Sequence, residues 1–256
     1  MLSFKLFFTE KKFANISSSE KKQAQDFINN FRKTYNTEQK LLKLKRKLDK
    51  TGDIMVSPID VFDKETQTTK QIKVYVSTTE DAYAAYYDDY NGEPSIILNF
   101  YLAAGIEPGY ESPIYAISSL QHELRHAVQE LKVGKPGYYA HLDKTHADHE
   151  KYKDLTHYFL DKIELEPQQL ELMLLIKNQY EEILKRSPQE IKILLPRFRL
   201  VLHNFLDSPW ESAKNSLPKS FYFKYGFLNT LARSPSKWKA FKQKLYNFIQ
   251  LMPGLK

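Results

Sequence analysis

The chain has 256 residues, of which 42% are hydrophobic and 14% aromatic, so it can bury a sizeable core. It contains no cysteine, which excludes disulfides, thiolate zinc sites and cysteine nucleophiles, and leaves His, Asp and Glu to bind any metal ion. The formal net charge of +7 comes from 38 Lys and Arg against 31 Asp and Glu, an excess that permits an anionic partner without requiring one.

No stretch approaches the roughly 18 consecutive apolar residues that a membrane helix needs. Residues 1–13 contain a short apolar stretch interrupted by Lys5, and they have no small-residue cleavage site, so they do not resemble a signal peptide. We therefore expect a cytoplasmic protein that does not associate with membranes.

The first 50 residues have the periodicity of basic helices. The run from Ser17 to Glu20 supplies caps for a helix that ends near Tyr35. A second helix is predicted over residues 37–50, which include LLKLKRKLDK. Its basic residues are typical of a solvated helix face, and contact with nucleic acid is the alternative interpretation.

Residues 53–101 change to a strand pattern. Strands are predicted at 53–61, 71–77 and 95–101, and a tyrosine-rich segment ends in the turn signal Asn91-Gly92. Residues 95–101 are a candidate for a sheet edge that pairs with an extended peptide, and an ordinary central strand is the alternative.

Residues 112–134 predict one long helix, with Ser112 as N-cap, Pro113 at its first position and Gly134 at its end. Its apolar residues follow the spacing of a buried helical stripe: Ile117, Leu120, Leu124, Val128 and Leu131. At about 100° per residue, His122 and His126 fall roughly opposite that stripe.

These two histidines belong to the pattern H-E-x-x-H, read here as His122-Glu123-Leu124-Arg125-His126. Side chains at i and i+4 project side by side, so both imidazoles can bind one zinc ion. Glu123 lies where it can take a proton from a metal-bound water. Histidines without a metal, in the core or at the surface, are the alternative interpretation.

The chain after this helix is expected to form a polar loop over residues 135–153, which contains three of the seven histidines. A strong helix follows over 168–184, with Pro167 in its first turn. Residues 186–256 are expected to form shorter helices, of which the last, 236–251, covers the core with its apolar face.

A catalytic zinc ion keeps three protein ligands and an open position for water, so a third ligand is needed. The longer pattern H-E-x-x-H-x-x-G-x-x-H is excluded, because Gln129 and Lys132 stand where it requires Gly and His. The third ligand is then either a Glu on the following helix or a His from the loop.

The segment HELRHAVQ, followed by YFLDKIELEP, resembles the small gluzincin-type zinc peptidases of phages and bacteria. That resemblance implies that Glu164 is the third ligand, with Glu166 as an alternative because Pro167 replaces a usual Ala. It also implies a host cytoplasm if the gene belongs to a phage. His146 would instead make the chain similar to SprT-type proteases.

The further candidates for a metal ligand are His141, His149, His157 and Glu211. The candidates for stabilising an oxyanion are Tyr139, His157 and Tyr158. Gln129 is a candidate for supporting the site through a hydrogen bond to a ligand. The expected fold is α+β: a helical region (1–50), a zincin-like core (51–185) and a helical C-terminal extension (186–256).

The expected function is hydrolysis of a peptide or protein substrate by a zinc metallopeptidase. His122, His126 and Glu164 would bind Zn²⁺, and Glu123 would act as general base. Two alternatives stay open: a nucleic-acid-associated protein with a structural zinc ion, and an inactive zincin that serves as an interaction module.

Overall fold

The computed structural model describes residues 3–63, 67–79, 83–146, 162–214, 221 and 224–255. The fold is α+β, with a small mixed sheet and mostly helical terminal regions. The chain forms two compact units, Met1–Ala140 and His141–Lys256. The division into three regions made from the sequence stays a prediction.

The first unit contains the sheet. Its strands are β1 (Asp53–Asp63), β2 (Thr68–Ser77), β3 (Ala84–Tyr90) and β4 (Glu93–Asn99). Its helices are α1 (Ser3–Thr34), α2 (Glu38–Thr51), α3 (Phe100–Ala104) and α4 (Pro113–His146), the last of which continues past the boundary at residue 140.

The four strands lie in the order β1-β2-β4-β3, with β2 and β4 parallel and the two other pairs antiparallel. Strand β4 is therefore internal, and Ile96 and Leu98 on it are fully buried. Of the two interpretations of residues 95–101, the sheet edge is wrong and the central strand is confirmed for 95–99, because both sides of β4 already pair with neighbours. The edges of this sheet are β1 and β3.

The turn signal Asn91-Gly92 is confirmed as the connection of the β3–β4 hairpin. Asn91 has a φ of 56° and Gly92 a φ of 85°, the positive values that a tight two-residue hairpin turn requires at both central positions. The tyrosine-rich segment before it is a strand, a state that its sequence alone did not establish.

The two N-terminal helices differ in how well the sequence located them. Helix α1 is continuous from Ser3, so the caps expected at Ser17 to Glu20 lie inside a helix and that prediction is wrong. Helix α2 agrees closely: the Thr37 side chain accepts the backbone N–H of Lys40 as N-cap, and Gly52, with a φ of 82°, follows its last residue.

Helix α4 is broken at Gly134, where φ is 71° and ψ is 160°, as expected for the end of the predicted helix. The chain then resumes a helix to His146, so the loop predicted over 135–146 is wrong. From Ala116 to Val128 every residue of α4 is buried, including those opposite the apolar stripe. A helix buried all round must satisfy its polar groups inside the protein.

The second unit is helical throughout its described residues. Its helices are α5 (Lys162–Leu184), α6 (Pro188–Asp207), α7 (Trp210–Ala213), α8 (Tyr225–Ala232) and α9 (Pro235–Ile249). Aromatic rings pack edge to face in its core, with centroids of Phe205 and Phe221 5.0 Å apart. Trp238, Phe241 and Leu245 of α9 are buried, which confirms the expected packing of the last helix. Within the described ranges, no helix combines the length and apolar composition needed to cross a bilayer.

Arg32 connects α1 to the segment that leads into α4. Its guanidinium donates to three backbone carbonyls: Ala103 at 3.0 Å, Glu111 at 2.9 Å and Leu102 at 3.2 Å. Burial lowers the pKa of Arg32. Gly105 leaves room for this contact, because a Cβ there would lie 2.7 Å from the guanidinium. Arg32 thereby stabilises the turn that precedes the motif helix.

We predict that Arg32→Ala lowers the free energy of unfolding by about 2 kcal/mol, because the three carbonyls lose a charged donor. Arg32→Lys should recover only part of this loss, since one ammonium cannot reproduce the planar fork. Urea denaturation followed by circular dichroism measures both. Arg46→Ala, at an exposed position of α2, is the control, and an equal effect of the two alanine variants would contradict the role of Arg32.

Candidate metal centre

His122 and His126 are held one turn apart on α4 with their rings in contact. Their Nε2 atoms are 3.1 Å apart and their ring centroids 4.9 Å apart. Two nitrogen ligands of one tetrahedral zinc ion lie about 3.3 Å apart when each Zn–N distance is about 2.05 Å. The histidine pair is therefore close to the arrangement that a shared ion requires.

The other ring nitrogen of His126 has a partner on the same helix. Nδ1 lies 3.0 Å from Oε1 of Gln129, three residues further along α4. Residues at i and i+3 are neighbours on a helix surface, so the contact follows from the sequence spacing. The contact expected between Gln129 and the site is thus present in the structure.

Glu164 completes a group of potential ligands. One ligand atom each from His122, His126 and Glu164 lies within 4.8 Å of the others, and all three residues are buried. Among the described residues this is the group of His, Asp and Glu that can hold a metal ion. Two imidazoles and one carboxylate suit several divalent ions, zinc among them.

Glu123 lies beside this group and is not one of its members. Its Oε1 is 3.9 Å from Nε2 of His122, and its side chain is largely buried. At that distance the carboxylate is too far for a direct hydrogen bond, and a water molecule can lie between the two atoms. This position fits the predicted role of a base better than that of a ligand.

The alternative ligands have different surroundings. Glu166 is half-buried and lies outside the group, and Glu211 is exposed and pairs with Lys214. The remaining sequence candidates have side chains that lie outside the described part of the chain: Tyr139, His141, His146, His149, His157 and Tyr158. Their roles stay predictions.

A buried polar cluster adjoins the histidine pair along α4 and was not predicted from the sequence. Glu130, one turn after His126, accepts from Nζ of Lys70 at 2.8 Å and from the hydroxyl of Tyr86. Nζ of Lys70 also lies 2.9 Å from the Tyr86 hydroxyl. The sequence signal was the placement of Glu130 on the face that carries His122 and His126.

A second ion pair holds α4 from another direction. Arg125, inside the motif, has Nη1 at 3.7 Å from Oε1 of Glu20 on α1, and both residues are buried. Lys70 and Tyr86 come from β2 and β3, so α4 is bound by charged or hydroxyl groups from both the sheet and α1. These contacts oppose rotation of α4 about its axis and so fix the direction of the histidine pair.

Comparison of the chain with protein-family models, with curated proteins and with solved structures gives no significant match. The likeness to gluzincin-type peptidases therefore depends on the motif residues alone.

We predict that the protein binds one divalent ion per chain and that His122→Ala, His126→Ala and Glu164→Gln each weaken binding. The loss should exceed the roughly 10–100-fold that removal of a hydrogen-bonding partner of a ligand causes. Competition with a chromophoric chelator measures the affinity for Zn²⁺ and Co²⁺. His203→Ala and Glu166→Gln are matched controls outside the group. Unchanged affinity in Glu164→Gln, with loss in Glu166→Gln, would reassign the third ligand.

A second prediction concerns the cluster at Glu130. Lys70→Met leaves the Glu130 carboxylate without its cation, and we expect the free energy of unfolding to fall by about 3 kcal/mol. Lys70→Met combined with Glu130→Leu should be clearly more stable than the sum of the single changes implies, because no charge then stays buried. A double-mutant cycle in urea tests this, and strictly additive effects would contradict the coupling.

Proposed function

We propose that the chain is a zinc-dependent peptidase with a zincin-like core. The observation that carries the proposal is the separation of 3.1 Å between the Nε2 atoms of His122 and His126 on a buried helix. Glu123 lies beside this pair, and Glu164 lies within reach of the same ion. The sequence pattern, the distance between the two imidazoles and the burial of the helix all agree with the chemistry of an H-E-x-x-H site.

The order of elements supports the zincin-like core. A small mixed sheet precedes α4 in the chain, and α4 carries the motif. Because α4 is buried from Ala116 to Val128, the rotamers of its ligands are restricted by packing, as a precise metal site requires. The gluzincin-like run HELRHAVQ, residues 122–129, lies entirely within this helix.

The three residues of the group are as many protein ligands as a catalytic zinc ion takes. A structural zinc ion is enclosed by four protein ligands, whereas a catalytic one has three and keeps a position open. Within the described residues the group has three members, His122, His126 and Glu164. Two neutral imidazoles and one carboxylate would leave a net charge of about +1 on a divalent site.

When bound, Zn²⁺ supplies Lewis acidity, polarising the scissile carbonyl and lowering the pKa of an attacking water toward neutrality. Glu123 accepts the proton of that water and then donates it to the nitrogen of the leaving amine. Its Oε1 lies 3.9 Å from His122 Nε2, so the base is next to a proposed ligand of the ion. His122 and His126, whose Nε2 atoms are 3.1 Å apart, would hold the ion together with Glu164, which would supply the negative charge.

The proposal is tested by Glu123→Gln, which keeps the shape of the side chain and removes its basicity. We predict that this variant binds zinc as the parent does and loses at least about a hundredfold in peptide hydrolysis, the lower range for removal of a general base. A mixture of quenched fluorescent peptides provides the substrate, and chelator competition on the same samples gives the metal affinity.

His126→Ala is the comparison variant, because it should lose hydrolysis and metal together. If Glu123→Gln hydrolyses peptides as fast as the parent, Glu123 is not the base. If the zinc-loaded parent hydrolyses no peptide of the mixture while it binds zinc tightly, the peptidase assignment is contradicted and an interaction module is favoured.

A further inference from the structure

One histidine of the pair, His126, has an acceptor on the same helix. Nδ1 of His126 faces the amide oxygen of Gln129 at 3.0 Å, while its Nε2 faces Nε2 of His122 at 3.1 Å. An amide oxygen only accepts hydrogen bonds, so the contact with Oε1 of Gln129 is a hydrogen bond when Nδ1 of His126 carries the proton. In a neutral imidazole, Nε2 of His126 is then an acceptor.

That tautomer leaves a lone pair on Nε2 of His126, the atom that lies 3.1 Å from Nε2 of His122. The nitrogen of His126 that a metal ion would bind is therefore the one that carries no proton.

We propose that Gln129 is a positioning residue that fixes the tautomer and the ring orientation of His126, so that its Nε2 is held ready for the metal ion. The hydrogen bond to the remote ring nitrogen decides which nitrogen of a histidine is free to bind metal. The inference depends on the metal-binding part of the proposed function and does not depend on peptide hydrolysis.

The position of Gln129 favours this role over a purely structural one. It is half-buried, next to the fully buried stretch of α4, and its amide oxygen contacts the ring of His126. Lys70 and Tyr86 instead bind the neighbouring residue Glu130, so the two side chains have separate partners. Gln129 can therefore be changed without removing the contacts of that cluster.

Two variants separate the acceptor from the volume of the side chain. Gln129→Leu removes the acceptor, and Gln129→Glu keeps an oxygen acceptor of the same length. Gln121→Leu is the matched control, since Gln121 is also buried on α4 and its Oε1 has no hydrogen-bond partner among the described residues. The readouts are imidazole ¹⁵N spectra without and with Zn²⁺, zinc affinity by chelator competition, and the melting temperature of the metal-free protein.

We expect the parent and Gln129→Glu to show Nδ1–H on His126 both without and with Zn²⁺. Gln129→Leu should show mixed tautomers at His126 and a roughly 10–100-fold weaker zinc affinity, with the melting temperature of the metal-free protein close to that of the parent. Gln121→Leu should retain the affinity and the spectra of the parent.

Equal zinc affinity in the parent and Gln129→Leu would overturn the positioning role and leave the proposed metal site intact. An Nε2–H tautomer at His126 in the metal-free parent would also overturn it. A loss of affinity that Gln129→Glu fails to restore, together with a lower melting temperature in both variants, would show a structural role only. A parent that binds no zinc would remove the metal site and this inference together.

Discussion

The structure depends on the burial of a helix that carries ionisable groups. From Ala116 to Val128, α4 has no exposed residue, yet this stretch contains two histidines, a glutamate and an arginine. Leaving such groups in the interior without partners is strongly unfavourable. Arg125 forms an ion pair with Glu20, and Glu130 accepts hydrogen bonds from Lys70 and Tyr86. The ring nitrogens of His126 contact Gln129 and His122. The requirement for partners thus explains why α1, β2 and β3 contribute polar side chains toward α4.

The requirement that buried polar groups have partners also makes the histidine pair suitable for binding a cation. Two imidazoles in contact, with buried carboxylates beside them, form a donor set whose groups are already desolvated and oriented. An ion that binds there does not have to order its ligands, which reduces the entropy lost on binding. The ion pairs Arg125–Glu20 and Lys70–Glu130 oppose rotation of α4 about its axis. They thereby keep the histidine pair in one orientation, although none of their side chains belongs to the candidate metal group. Rigid support of this kind is what distinguishes a metal site from a chance cluster of ligands.

Predictions that depend on a few neighbouring residues agreed with the structure more often than predictions that depend on how a helix or strand packs or pairs with distant parts of the chain. Asn91-Gly92 forms the hairpin turn and Gly134 breaks α4, because each depends on a few consecutive backbone positions. The start of α1 and the helix after Gly134 were missed, since continuation through a cap or a break depends on longer-range packing. For β4 the sequence left a sheet edge and a central strand both open, because pairing on a second side involves residues distant in sequence.

The sequence by itself determined the identity of the candidate site. His122, Glu123, His126 and Gln129 lie within eight consecutive residues, so helix geometry alone places the two imidazoles side by side and Gln129 next to one of them. Only the tertiary structure decided which groups surround them. Lys70, Tyr86 and Glu20 carry no local signal, because their partners on α4 lie 60, 44 and 105 positions away along the chain. Such contacts form only in the folded protein. They follow from the need to neutralise or hydrogen-bond the polar and charged side chains of a buried helix.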